Sequence, residues 1–189
     1  MTCIVGYVSK GKVYLGGDSA GVAGYSISIR KDPKVFKSGE FIIGFTTSFR
    51  MGQLLMSSKF NPPEQTSSQS EYQYMITTFV DTVISLFKDN GYLQKKNEEI
   101  SGGTFLVGYR GKLYEINDDF QVAENEDNFS SVGCGHDIAK GAMFVLNKLP
   151  FSPEAKVKSA LNAASRFSAG VAPPFTIVSL NSTTKTHKK

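Results

Sequence analysis

The chain has no tryptophan, only two cysteines, Cys3 and Cys134, and only two histidines, His136 and His187. Each scarcity removes a class of protein. Two cysteines cannot build a disulfide framework, so free thiols in a reducing compartment are the expectation. Without tryptophan, and with tyrosine and phenylalanine scattered through strand-like segments, there is no aromatic platform on which nucleic-acid bases would stack. Two histidines, one of them close to the C-terminal end, support neither a histidine-based triad nor a multi-histidine metal site. The Gly-x-Ser-x-Gly elbow, the Walker-type loop and the Gly-x-Gly-x-x-Gly turn are missing as well, which sets aside serine hydrolases of that type and nucleotide-binding enzymes. No cofactor and no metal are expected.

Long apolar runs are also lacking. Nothing approaches the ~20 residues that a membrane span requires. The opening Met-Thr-Cys-Ile-Val-Gly-Tyr has neither the basic region nor the cleavage site of a secretory signal. No membrane partner and a cytoplasmic location are therefore expected. A formal charge of +4 and a pI of 9.0 hint at nucleic acid, but Lys185, Lys188 and Lys189 crowd the end of the chain, and removing these three leaves +1 for the remainder. A nearly neutral body with a polar, frayed tail predicts no nucleic-acid surface.

The remaining length can bury a substantial core. With no composition shift to divide the chain, the expectation is a single domain over residues 1–181, followed by a polar basic tail, 182–189, without fixed structure. Cys3–Val8 and Val13–Gly17 flank Lys10-Gly11-Lys12 as a hairpin, and Val35–Lys37 and Phe41–Phe45 flank Ser38-Gly39 as another. Tyr25, Ile27 and Ile29 alternate with serines, the pattern of a half-buried strand. A short helix is predicted from about Phe49 to Lys59, then a surface loop over Asn61–Ser70. Tyr72, Met75, Ile76, Phe79, Val80, Val83, Ile84 and Phe87 recur at three- and four-residue steps as the apolar stripe of a longer helix. Strands return over Thr104–Tyr109, Lys112–Ile116 and near Gln121–Ala123. Helices follow from about His136 to Lys148 and after the Ser152-Pro153-Glu154 cap, and Phe175–Leu180 closes the chain as a strand. Helices grouped in pairs, rather than alternating singly with strands, predict an α+β layer structure with antiparallel sheets.

The chemistry points to the amino terminus. Removal of Met1, which a small second residue permits, would expose Thr2 as a nucleophile carrying its own base, since an α-amino group titrates near ~7.7–8.0. Asp18 ends a strand in Gly16-Gly17-Asp18-Ser19 and Lys34 begins one in Lys34-Val35. A buried lysine beside the threonine lowers the amine's pKa and favours the developing alkoxide; a carboxylate holds that lysine charged and in place. Taken singly, Asp18 reads equally as a turn cap and Lys34 as a solvated strand residue. Gly133-Cys134-Gly135-His136-Asp137 reads either as an anion-binding turn or, more simply, as a tight turn before a helix.

In joint order and spacing, Thr2-Cys-Ile-Val, Gly16-Gly-Asp-Ser, Lys34-Val, Phe41-Ile-Ile-Gly44-Phe, Gly103-Thr-Phe-Leu-Val-Gly-Tyr and Val132-Gly-Cys-Gly-His-Asp-Ile-Ala-Lys-Gly-Ala142 resemble proteasome β subunits and their bacterial HslV-type relatives. The resemblance covers nearly the whole chain. It implies the N-terminal-nucleophile (Ntn) hydrolase fold, a four-layer αββα sandwich of two antiparallel sheets flanked by helices. It also implies Thr2 as nucleophile, Lys34 as the neighbouring cation and Asp18 as the orienting carboxylate, and it puts the oxyanion-hole N–H on Ser48, where the family usually has glycine. The serine of the family's Gly-Ser-Gly turn falls on Cys134, and its late aspartate near Ser168, both weaker supports for the terminal amine. Cys3 is expected to point the other way and pack. Thr46 and Arg50 are expected near the pocket beside Ser48, with Arg50 reading equally as a solvent-facing residue at the start of its helix.

The function implied is hydrolysis of a peptide or protein substrate through a Thr2 acyl-enzyme, inside a homo-oligomeric ring, with room for an ATP-dependent unfoldase as partner. A catalytically relaxed ring or scaffold subunit, and a small-amide hydrolase, stand as alternatives.

Overall fold

The structure is a computed structural model that describes residues 1–182. Its first sheet is built on β1 (Cys3–Ser9) and β2 (Lys12–Gly17). Together with β12 (Phe129–Gly133) and β13 (Thr176–Asn181) they form an antiparallel sheet in the order β12-β1-β2-β13. The second sheet takes β5 (Val35–Ser38), β6 (Phe41–Phe45), β9 (Phe105–Tyr109), β10 (Lys112–Ile116) and β11 (Val122–Glu124), again antiparallel, in the order β11-β10-β9-β6-β5.

Side-chain alternation along each strand decides which layer it feeds. In β1, Ile4 turns inward to meet Val13, Leu15, Val35, Ile42, Leu106, Leu113 and Val132 between the sheets. Cys3, Val5 and Tyr7 turn outward onto α4 (His136–Leu146) and α5 (Pro153–Phe167). The second sheet sends Phe41, Ile43, Phe45, Phe105, Val107, Tyr109, Tyr114 and Ile116 outward onto α1 (Phe49–Met56), α2 (Glu71–Tyr74) and α3 (Val80–Asp89). Three separate cores thus stack four layers, helices outside and sheets inside, as the resemblance implied. Glycines set the spacing: a Cβ on Gly44 would lie 2.5 Å from Ile4 Cγ2 between the sheets, and one on Gly16 would lie 2.4 Å from Val157 Cγ1 under α5.

The Tyr25–Ile29 reading needs correction. A strand forms there, β4 (Ser26–Ile29), but it pairs only with β3 (Ala20–Ala23) as a separate hairpin, and Tyr25, Ile27 and Ile29 are exposed rather than half-buried. Alternation alone cannot show whether a second layer exists to cover the apolar face. The helical stripe also shifts. Between α2 and α3 runs a π-helical segment, Met75–Phe79, continuing the same helix. A π turn holds one residue more than an α turn, so the buried pairs Tyr74/Met75 and Phe79/Val80 stand five apart, while Tyr72 and Ile76 face outward. Four strands escaped the sequence pattern: β3, β7 (Gln94–Lys96) and β8 (Glu99–Ser101), the last two an exposed hairpin, and β12, whose central Ser130 and Ser131 are buried hydroxyls. Of the expected tail, Ser182 is tied through its N–H to the Gly11 carbonyl (3.0 Å); residues 183–189 lie outside the described residues.

Candidate active site

Asp18 leaves the end of β2 with both carboxylate oxygens occupied. Oδ1 accepts from the Cys3 N–H at 2.9 Å and from Lys34 Nζ at 2.9 Å; Oδ2 accepts from the N–H groups of Ala20 (2.9 Å) and Ala172 (3.4 Å). Lys34, on the segment entering β5, also donates to the Ala20 carbonyl at 2.6 Å and reaches the Met1 carbonyl at 3.5 Å. Neither charged side chain has any solvent exposure. Two buried charges are tolerable only when paired and fully hydrogen-bonded, which these are. Burial pushes the Lys34 ammonium below the ordinary lysine value, against the opposing pull of Asp18.

Thr2 sits directly above this pair, 5% exposed. Its hydroxyl donates to the Met1 carbonyl oxygen, the same atom that Lys34 Nζ approaches, so the hydroxyl and the ammonium converge on one acceptor. Its N–H donates to Cys134 Sγ at 3.3 Å, and its carbonyl accepts from the Gly135 N–H (3.4 Å) and the Cys134 thiol (3.4 Å). Ser168, the residue that ends α5, donates its hydroxyl to Cys134 Sγ at 3.6 Å. Thr2, Asp18, Lys34, Cys134 and Ser168 therefore form one connected set around the first peptide bond. Gly133 makes the approach possible: its φ is +98°, and a Cβ there would meet the Thr2 carbonyl oxygen at 2.3 Å. This turn is spent on holding Thr2, with His136 Nδ1 donating to the Gly133 carbonyl (2.7 Å), which favours the tight-turn reading over an anion site.

Ser48 is placed differently. It caps α1, its hydroxyl accepting from the Arg50 N–H (3.1 Å), and its own N–H donates to the Thr46 carbonyl at 2.6 Å across Thr47, which has φ +55°. With Met1, Thr2, Val22, Phe45, Thr46, Thr47 and Phe49 it lines a pocket of about 100 Å³. Thr46 lines this pocket beside Ser48, whereas Arg50 is exposed and absent from the lining, in keeping with its solvent-facing reading. Arg30 is the arginine that comes near: it clasps Asp32 through two bonds of 2.8 and 2.7 Å and lies 3.8 Å over the Phe49 ring. Cys3 is fully buried, and burial pushes its thiol up to about 12.

Sequence reasoning missed the backbone donors of Ala20 and Ala172, which leave no trace in residue type. It also missed a larger cleft of about 450 Å³ on the other side of Cys134, lined among others by Thr46, Thr47, Thr104, Glu115 and Gly133. Among the described residues no cluster of three or more His, Cys, Asp or Glu could hold a metal ion, and no helix is long and apolar enough to cross a membrane.

No protein-family model matches the sequence, and no curated protein matches it. Solved structures do. BPH from Thiobacillus denitrificans superposes with a TM-score of 0.80 at 18% identity, over 96% of this chain and 99% of that one. The same protein in complex with epoxomicin gives 0.78 at 17% identity, over 95% and 98% of the two chains. A eukaryotic HslV from Trypanosoma brucei gives 0.68 at 18% identity, over 95% and 99%. Anbu from Hyphomicrobium sp. strain MC1 gives 0.67 at 18% identity, over 96% and 82%. At these identities the shared property is the fold, and the chain has the Ntn-hydrolase fold found in the HslV and Anbu proteins.

Proposed function

We propose that the protein is a threonine peptidase whose nucleophile is Thr2 after removal of Met1. The observation that carries this reading is the convergence of the Thr2 hydroxyl and the Lys34 ammonium on one carbonyl oxygen, with the Thr2 nitrogen alongside. Trimming turns that nitrogen into a free amine. The amine takes the hydroxyl proton as Oγ1 attacks a substrate carbonyl carbon, and the Lys34 ammonium stabilises the negative charge that develops. Collapse of the tetrahedral intermediate breaks the amide, the amine passes its proton to the leaving nitrogen, and a water then hydrolyses the Thr2 ester. Asp18 acts through Lys34, and Ser168 through Cys134, as positioning residues. Ser48 contributes its N–H to the oxyanion once that N–H exchanges the Thr46 carbonyl for the substrate oxygen.

The sandwich over residues 1–181 works as one domain in the cytoplasm, in a homo-oligomeric ring that admits unfolded peptide, with an ATP-dependent unfoldase as a compatible partner. Epoxomicin bound to a protein of the same fold supports peptide-like ligands here. A second reading has its own support. The Ser48 N–H is already engaged, and thiol and hydroxyl groups stand where the family places a serine and a carboxylate. Both features suit a relaxed scaffold subunit.

Intact mass spectrometry separates the two readings. Loss of Met1 followed by a stoichiometric adduct with a peptide epoxyketone, which must capture both hydroxyl and amine, is the result expected of the peptidase. Retention of Met1, or a trimmed chain that takes up no inhibitor, leaves the scaffold.

A further inference from the structure

Glu115 is a charged group beside the site that the hydrolysis does not use. It stands on β10 between Tyr114 and Ile116, which face the outer core, so it shares the inward side with Leu113, where β9 supplies Leu106, β6 Ile42 and the facing sheet Val132. In this otherwise aliphatic row the Glu115 side chain is 17% exposed, so its carboxylate keeps only part of its hydration. Its partners do not account for it. Oε2 accepts from the Ser130 hydroxyl at 2.8 Å, and Lys140 Nζ comes no nearer than 3.9 Å while remaining 41% exposed. Among the described residues Oε1 accepts no hydrogen bond. Asp18 shows the contrast, since both of its oxygens are engaged, each by two donors. Glu115 instead lines the 450 Å³ cleft, which continues past Cys134 to Met1 above Thr2 and is walled by the hydroxyl-bearing Thr46, Thr47 and Thr104. The smaller pocket beside Ser48 offers no titratable side chain, and the nearby Arg30 is already neutralised by Asp32.

We infer that the cleft is a subsite for a positively charged side chain, lysine or arginine, of a peptide cleaved at Thr2, with Glu115 as the carboxylate that receives it. The inference rests on the peptidase reading. An ammonium or guanidinium on an aliphatic stem that enters the 450 Å³ cleft meets Oε1 and hydroxyl acceptors in place of water, and displaces the loosely held Lys140. Apolar or acidic side chains leave the carboxylate desolvated and unpaired, so selection comes from rejection as much as from attraction.

The test is a peptide series of one sequence, with lysine, arginine, norleucine or glutamate placed in turn on each side of the scissile bond, assayed on protein shown by mass to lack Met1. At one position kcat/KM for lysine or arginine is expected to exceed that for norleucine about tenfold, the size of one charge-assisted hydrogen bond. Glu115→Gln keeps an acceptor for Ser130 and should bring that ratio close to one. Lys140→Ala, which removes the competing cation, should raise it. Wild-type indifference to cations, or a ratio untouched by Glu115→Gln in a variant with unchanged melting temperature, overturns the subsite. If trimmed protein cleaves none of the peptides, the hydrolytic reading fails instead. Fluorescence anisotropy of the same labelled peptides then decides the subsite: tenfold weaker binding of the lysine peptide to Glu115→Gln, with norleucine unaffected, upholds it, and equal binding rejects it.

Discussion

At the scale of single residues, the Asp18–Lys34 pair carries structure and, in the proposed mechanism, chemistry. Removing Lys34 strands a fully buried carboxylate, so Lys34→Met is expected to cost about 3–5 kcal/mol in urea unfolding and to abolish peptide hydrolysis. The lowered pKa of Lys34 gives two pH dependences of opposite sign. The unfolded chain binds this proton more tightly than the fold does, so unfolding takes up a proton between the lowered value and the ordinary ~10.4, and this group's contribution to stability improves as pH rises through that window. The proposed catalysis needs the ammonium, so kcat/KM is expected to fall across the same alkaline range, below where a free lysine would titrate. A pH–rate profile together with urea midpoints over that range checks both signs. An alkaline limb at or above the ordinary lysine value speaks against the assignment.

Among the secondary-structure elements, close approach is what brings the site together. Helix α5 lies on β1 and β2, and it places Ser168 against Cys134 only because β2 presents glycine at the contact. Gly16→Ala puts a methyl into Val157 and Leu161; the expected cost is about 1–3 kcal/mol, read by chemical denaturation. The displaced α5 should also slow epoxyketone labelling of Thr2, whereas unchanged labelling would separate α5 seating from the site. The π segment is a further feature of this scale. It turns Tyr74 onto Phe41 and Tyr109, with ring centroids 6.4 and 5.2 Å apart, an arrangement that a regular α-helical register through Tyr72 and Ile76 would not produce.

For the whole molecule, the apolar surface is uneven. The β3–β4 hairpin exposes Tyr25, Ile27 and Ile29, while the end of α4 and the segment after it expose Phe144, Val145 and Phe151. A hairpin of two short strands is marginal alone, and exposed apolar clusters of this kind mark contact surfaces. This hairpin is the surface that the proposed ring would be expected to set against a second copy. Ile27→Asp, at a residue 55% exposed, is therefore expected to shift the protein from a large assembly to a monomer in light scattering without lowering the monomer's unfolding midpoint. A wild-type protein that is monomeric at all concentrations removes the ring from the proposal.

The amino-acid sequence determined what depends on local pattern. Period-two runs and glycine turns marked the two main hairpins, three- and four-residue steps marked the helices, and the grouping of these elements marked a layered sandwich. The spacing of Thr2, Asp18 and Lys34 was legible through its resemblance to the proteasome β-subunit pattern, since each residue alone read equally well as a turn or strand-end residue. The tertiary structure alone decided what depends on a partner far along the chain. β12 is a strand because β1 pairs with it, although its serines carry no apolar signal. The hairpin residues Ile27 and Ile29 are exposed because no layer covers them. Ala172, with only a backbone N–H to offer, reaches Asp18 across 154 residues. Glu115 lines a cleft because of how the two sheets pack, since burial is a property of the packed layers and not of the strand that carries the side chain.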